Sequence, residues 1–80
     1  MPDPSKLLAG LGQAIREQRT ARSLSQEELS LLTGVHRNYI GGVERGERNP
    51  TLQTISILAT ALGIRTSELI ARAEELERGG

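Results

Sequence analysis

The sequence predicts an all-α fold: one domain of five short helices, with the second and third joined by a tight turn. Three observations carry that prediction. The composition is poor in what sheets favour, with no Phe, no Trp and one Tyr, and rich in Leu, Ala, Glu, Arg and Gln, which favour helices. Apolar residues recur at spacings of three and four, and Ser, Thr and Gly stand where helices start and stop. At 80 residues the chain can hold a single core but buries only about 60% of its unfolded surface, so a partner would add to a modest stability.

The elements follow in order. Ser5 is the expected cap of a first helix from Lys6 to Arg22, with Leu8, Leu11 and Ile15 on its apolar face; residues 1–4 are expected to be disordered. Ser25 and Glu28 form a Ser-x-x-Glu capping box, so a second helix starts at Gln26 and stops near Thr33, with Gly34 as a left-handed cap. A third helix fits Arg37 to Glu44, burying Ile40 and Val43, and Gly46 ends it. Asn49-Pro50 forbids helix at Asn49. Thr51 then caps a fourth helix whose Leu52, Ile55, Leu58, Ala59 and Leu62 share a face, closed by Gly63. The fifth begins near Thr66 and repeats Leu69, Ile70, Ala73 and Leu76, leaving 79–80 as a frayed end and a core of about 6–77.

Composition excludes several functions. Without cysteine there is no disulfide framework and no Cys-based zinc site, and with His36 the sole imidazole a histidine-rich metal site is excluded. No cofactor and no small-molecule ligand are expected. The chain offers no catalytic constellation, so it is not read as an enzyme. Met1-Pro2-Asp3-Pro4 lacks a basic, then apolar leader, and no apolar run approaches the length of a bilayer. The expectation is a soluble cytoplasmic protein with no membrane partner.

Formal charge is zero, which argues mildly against a nucleic-acid partner. Its distribution argues otherwise. Four of the ten acids, Glu68, Glu74, Glu75 and Glu77, fall in the last thirteen residues, while Arg16, Arg19, Arg22, Arg37, Arg45 and Arg48 lie between 16 and 50. Glu17, Glu27, Glu28, Glu44 and Glu47 share that stretch, so a basic face has to be made by geometry.

The segment from Gln26 to Val43 is the most constrained. Two helices crossing closely need a small residue at Ser30, and a three-residue turn needs positive φ at Gly34. Leu29, Val35, Ile40 and Val43 then fill the angle. An ordinary helical hairpin satisfies part of this pattern; a helix-turn-helix satisfies all of it.

Leu24-Ser25-Gln26-Glu27-Glu28-Leu29, Gly34-Val35, Arg37-Asn38-Tyr39-Ile40 and Glu44-Arg45-Gly46-Glu47-Arg48-Asn49-Pro50 closely resemble the Xre/Cro, or phage-repressor, helix-turn-helix family over about residues 11 to 70. The stretch from His36 to Asn49 is also similar to the controller proteins of restriction-modification systems. The resemblance implies a five-helix, lambda-repressor-like DNA-binding domain that binds a near-palindromic operator as a homodimer, with the third helix in the major groove.

It also implies roles. The start of the third helix meets base edges, which puts Arg37 opposite guanine and Asn38 opposite adenine, with Gly41 and Gly42 one turn on. Arg37 is otherwise a solvated arginine, and Asn38 otherwise bonds its own backbone. The two glycines either let the helix sit close to the bases or are tolerated at an exposed site. Gln26 is placed to touch a phosphate and brace the third helix, or is otherwise an ordinary helix-start residue. Tyr39 either sends its hydroxyl to a phosphate or covers the core. Arg45, Arg48, Asn49 and Thr51 lie where the family grips the backbone, and such contacts fix register without reading sequence. His36 stands at the cap of the third helix, from which it could approach a phosphate. Glu44 is expected to form a structural ion pair with an arginine of the first helix. Arg19 and Arg22 either supply peripheral phosphate contacts or suit the end of that helix by charge.

One recognition helix reads only a few base pairs, so a second copy is expected. Leu69, Ile70, Ala73 and Leu76 are the expected dimer face, aided by Ile57 or Ala61; the other reading packs them inside the monomer. A different function class, a protein-interaction module such as an antitoxin or adaptor, is favoured by the neutral charge and the acidic last helix.

Overall fold

The computed structural model describes residues 3–79, and among these the order is five helices and no strand: α1 Pro4–Ala21, α2 Gln26–Thr33, α3 Arg37–Glu44, α4 Leu52–Ala61 and α5 Thr66–Glu77. Helix α1 starts two residues earlier than the sequence suggests. Asp3, not Ser5, is its cap: an Asp3 carboxylate oxygen accepts the Ser5 N–H at 2.9 Å and the Ser5 hydroxyl at 2.7 Å. Pro4 follows as the first helical residue, where its missing N–H costs nothing. The expectation of disorder therefore fails for Asp3 and Pro4, while Met1, Pro2 and Gly80 lie outside the described residues. The C-terminal end is tied as well, since the Gly79 N–H donates to the Leu76 carbonyl at 3.0 Å.

The remaining boundaries follow the caps. Ser25 and Glu28 exchange both capping-box bonds, at 2.9 and 3.0 Å. Gly34 closes α2 at φ 77 and donates to the Ser30 carbonyl at 2.8 Å. Thr51 Oγ1 accepts the Thr54 N–H at 3.1 Å and opens α4. At the start of α5, the Glu68 carboxylate accepts the Arg65 N–H at 3.0 Å.

The core draws on every helix: Leu11, Ala14 and Ile15 of α1, Leu29 of α2, Ile40 and Val43 of α3, Ile55, Leu58 and Ala59 of α4 with Leu62 just beyond, and Leu69 and Ala73 of α5. Two expectations are corrected here. Leu8 is only half-buried, and Leu7, which shares the row of Leu11 and Ala14, packs on the core instead. Leu52 is 69% exposed. As the first residue of α4 its side chain leans toward the helix N-terminus, off the end of the layer made by Ile55 and Leu58.

Helix α1 serves as the spine. It packs along α5 and across the end of α3, and two glycines allow both approaches. A Cβ on Gly10 would stand 2.4 Å from the Ala73 carbonyl oxygen, and one on Gly12 would stand 2.3 Å from that of Val43. Backbone thus meets backbone where α1 crosses its neighbours, and the end of α3 is fixed in place.

Candidate nucleic-acid interface

The turn between α2 and α3 is held by local bonds. The Thr33 hydroxyl donates to the Leu29 carbonyl at 2.8 Å and accepts the Val35 N–H at 3.1 Å. His36 caps α3 directly, its Nδ1 accepting the Asn38 N–H at 3.0 Å. Leu29, Ile40 and Val43 are buried beneath, and Val35 packs against them. What remains outside is the N-terminal end of α3, with Arg37 and Asn38 both exposed.

A buried polar cluster holds α3 from behind. Arg19 meets the Glu44 carboxylate with two bonds, Nε at 2.7 Å and Nη2 at 2.8 Å, and its Nη1 donates to the Leu24 carbonyl at 2.8 Å. The two side chains are 10% and 4% exposed. Glu44, through these hydrogen bonds, keeps the Arg19 guanidinium protonated above its ordinary value against the opposing pull of burial. Gln26 joins the cluster, its amide donating to Glu44 at 3.1 Å. The expected pairing of Glu44 with α1 is thus present. The pair withdraws one charge of each sign from the surface, and Arg37, Arg45 and Arg48 remain exposed together with the carboxylates of Glu27 and Glu47.

Gly41 and Gly42 correct the sequence reading. Both are buried, because neighbouring side chains occupy the space above them. A Cβ on Gly41 would meet Arg45 Nη1 at 3.1 Å and Gln26 Oε1 at 3.3 Å, and one on Gly42 would meet Arg48 Cγ at 2.7 Å. The gap left by the missing side chains is filled by this protein, so the glycines themselves present no base-reading surface.

The other predicted residues divide. Arg45, Arg48 and Asn49 are exposed beyond α3, with Arg45 Nε at 3.1 Å from Glu47. Arg48 stacks its guanidinium 6.0 Å from the Tyr39 ring centre. Tyr39 is half-buried against the core, and Gln26 is turned toward α3. His36 and Thr51 are engaged as helix caps. Arg22 folds back on its own helix, donating to the Gln18 carbonyl at 3.0 Å. Arg37 lies 3.8 Å from the Glu27 carboxylate in an exposed pair.

Two of the four residues expected on the dimer face, Leu69 and Ala73, are turned inward. Leu69 and Ala73 are 0% exposed within the monomer, because α5 lies along α1 and spends its apolar side there. Ile70 and Leu76 are half-buried against the same core. Apolar surface is left elsewhere: Leu31 is 82%, Leu32 62% and Ile57 40% exposed. Leu32, Ile57 and Ala61 line a shallow groove between α2 and α4. The sequence reading missed Leu31 and Leu32.

Among the described residues no single helix is long and apolar enough to cross a membrane.

A helix-turn-helix family profile matches residues 15–69. The control protein C.SmaI of Serratia marcescens is 48% identical over 62 residues, which are 78% of this chain and 74% of that protein. The control protein C.BamHI of Bacillus amyloliquefaciens is 40% identical over 60 residues, 74% of each. The crystal structure of the restriction-modification controller protein C.AhdI from Aeromonas hydrophila is 56% identical to this chain and matches it with a TM-score of 0.75, over 78% of this chain and 94% of that one. With the profile covering the turn, its two helices and the core around them, this chain belongs to the helix-turn-helix family of the Xre/Cro type.

Proposed function

We propose that the protein is a sequence-specific transcriptional regulator that binds double-stranded DNA as a homodimer, with α3 in the major groove of a near-palindromic operator. The observation that carries this reading is the exposed end of α3, where Arg37 and Asn38 stand free of the core and Arg45, Arg48 and Asn49 flank them. Arginine and asparagine are the side chains that pair bidentately with guanine and adenine. The flanking arginines are placed to meet phosphates and fix register. Relatives described as control proteins support the same reading.

A second copy is needed because one helix spans few base pairs; half-sites would lie about one helical turn, roughly 34 Å, apart. The groove of Leu32, Ile57 and Ala61, with Leu31 beside it, is the surface we assign to that copy. Its lining, which also includes Thr33, Ser56 and Thr60, carries no charged side chain, so it can face its own copy across a two-fold axis without juxtaposing like charges. The groups assigned to DNA are three guanidiniums and two amides, which hold phosphates and base edges and supply no nucleophile. The protein on this reading binds rather than catalyses, and it acts in the cytoplasm, where the operator is.

Selection of bound duplexes from a random library tests the proposal. The expected product is a two-fold symmetric sequence. A dimer neutralising roughly six to ten phosphates should lose about 10³ to 10⁵ in affinity between 50 and 200 mM salt. If no duplex is enriched at low salt, the DNA reading fails and the protein-interaction module, an antitoxin or adaptor, takes its place.

A further inference from the structure

Glycine is a poor helix former, and α3 carries two in succession at Gly41 and Gly42. The two are not equivalent. At Gly41 the atoms in the way of a Cβ are the far ends of flexible side chains, Arg45 Nη1 and the Gln26 amide, which can swing aside. At Gly42 the obstruction is the stem of Arg48, with Cγ at 2.7 Å, Nε at 3.5 Å and Cδ at 3.7 Å. Cγ lies one bond beyond Cβ, so only a different χ1 of Arg48 would relieve it.

The backbone brings Arg48 to this position. The Glu47 N–H donates to the Gly42 carbonyl at 2.8 Å, and Gly46 reverses the chain at φ 74. Arg48 then lies across α3 with Gly42 beneath its stem and the Tyr39 ring beside its guanidinium. Among the described residues it has no carboxylate within salt-bridge distance, whereas Arg19, Arg37 and Arg45 each have one and Arg72 has two.

We propose that Gly42 is a positioning residue for Arg48: its missing side chain seats the Arg48 stem on α3, so the uncompensated guanidinium is held ready for a DNA phosphate beside the recognition helix. This deepens the DNA reading and rests on it. The seat replaces a mobile arginine by one already ordered, and the rotamer entropy of such a side chain corresponds to about three- to tenfold in affinity. The helix propensity forgone at Gly42 is what that ordering costs.

The test compares wild type, Gly42→Ala, Gly41→Ala, Arg48→Ala and Gly42→Ala with Arg48→Ala together. Each is titrated with the duplex enriched by the wild type and with an unrelated duplex from 50 to 200 mM salt. Gly42→Ala should bind both duplexes about three- to tenfold more weakly and lower the salt slope toward that of Arg48→Ala. The double variant should bind like Arg48→Ala alone, and Gly42→Ala should melt no lower than wild type. Wild-type affinity and slope in Gly42→Ala, or losses that simply add in the double variant, would overturn the proposal. A measurement without DNA separates its failure from failure of the DNA reading. Because Tyr39 is the sole Phe, Tyr or Trp and lies beside the Arg48 guanidinium, ring-shifted Arg48 side-chain protons in NMR spectra report the seat. They should be present in wild type and Gly41→Ala and lost in Gly42→Ala; unshifted protons in the wild type would remove the seat.

Discussion

Arg19 and Glu44 form a two-pronged ion pair, with N to O distances of 2.7 and 2.8 Å, that joins the end of α1 to the end of α3 beneath the exposed face. Removing one partner leaves the other as an unpaired charge in the interior. Arg19→Ala should therefore cost about 3–5 kcal/mol, read from urea unfolding, whereas Arg19→Met with Glu44→Leu should recover most of it. An Arg19→Ala variant as stable as wild type would mean that the pair contributes nothing to holding α3.

The packing glycines are expected to fail in a different order from the turn glycine. Gly34 has positive φ but open space around it, so Gly34→Ala should cost only about 1–2 kcal/mol of left-handed strain. Gly12→Ala drives a Cβ into the carbonyl oxygens of Val43 and Glu44. Backbone cannot swing aside as a side chain can. Its cost should exceed that of Gly34→Ala, reaching about 3 kcal/mol or more by the same unfolding measurement.

Much of this is legible in the sequence, and apart from the Asp3 cap and the exposed Leu52 the failures share a cause. Caps, stops and the α2–α3 turn are local, so Ser25, Glu28, Gly34, Thr51 and Gly46 could be read from neighbours along the chain. The pairing of Glu44 with α1 followed from the type of residue and the known neighbours of its helix. Which apolar face meets which helix is not local. Leu69 and Ala73 read as a partner's face because nothing in α5 alone says that α1 lies along it; the pointer is in α1, where Gly10 forgoes helix propensity to admit the Ala73 backbone. Gly41 and Gly42 were misread for the same reason, since the side chains that cover them come from Gln26, Arg45 and Arg48. Ser23 leaves α1 at φ 56 without a glycine to announce it.

Dimerisation should depend on the groove and not on α5. Leu32→Asp or Ile57→Asp alters an exposed position and should give a folded monomer by sedimentation, with operator binding much weakened. Leu69→Ala, by contrast, opens a cavity in a fully buried site and should cost about 2–5 kcal/mol of stability. A dimer that survives both aspartates would move the interface elsewhere.

Acid should loosen the start of α2. The Ser25 backbone N–H, and secondarily its hydroxyl, hold the Glu28 carboxyl below the ordinary glutamate range. A carboxyl whose folded value is depressed contributes stability above its unfolded value and loses it as pH falls through the folded one. Melting temperature should therefore drop below the ordinary glutamate range. Glu28→Gln keeps a side chain that can reach the Ser25 N–H but has no charge to lose, so its acid limb should be shallower; an identical limb would assign acid sensitivity to other carboxyls, Asp3 among them.

Arg37 and Glu27 set the last expectation. At 3.8 Å, with side chains 60% and 68% exposed, the pair is worth at most about 1 kcal/mol, and Arg37 must leave it to reach a guanine. Glu27 also places a carboxylate close to where a phosphate would pass. Glu27→Gln should therefore tighten operator binding a few-fold, up to about fivefold, without changing the selected sequence. Arg37→Ala should instead cost about 1–3 kcal/mol on the best operator and relax one base position, while Arg48→Ala should weaken all sequences alike. If Arg37→Ala weakened every duplex equally and Arg48→Ala relaxed a base position, reader and clamp would have to be exchanged.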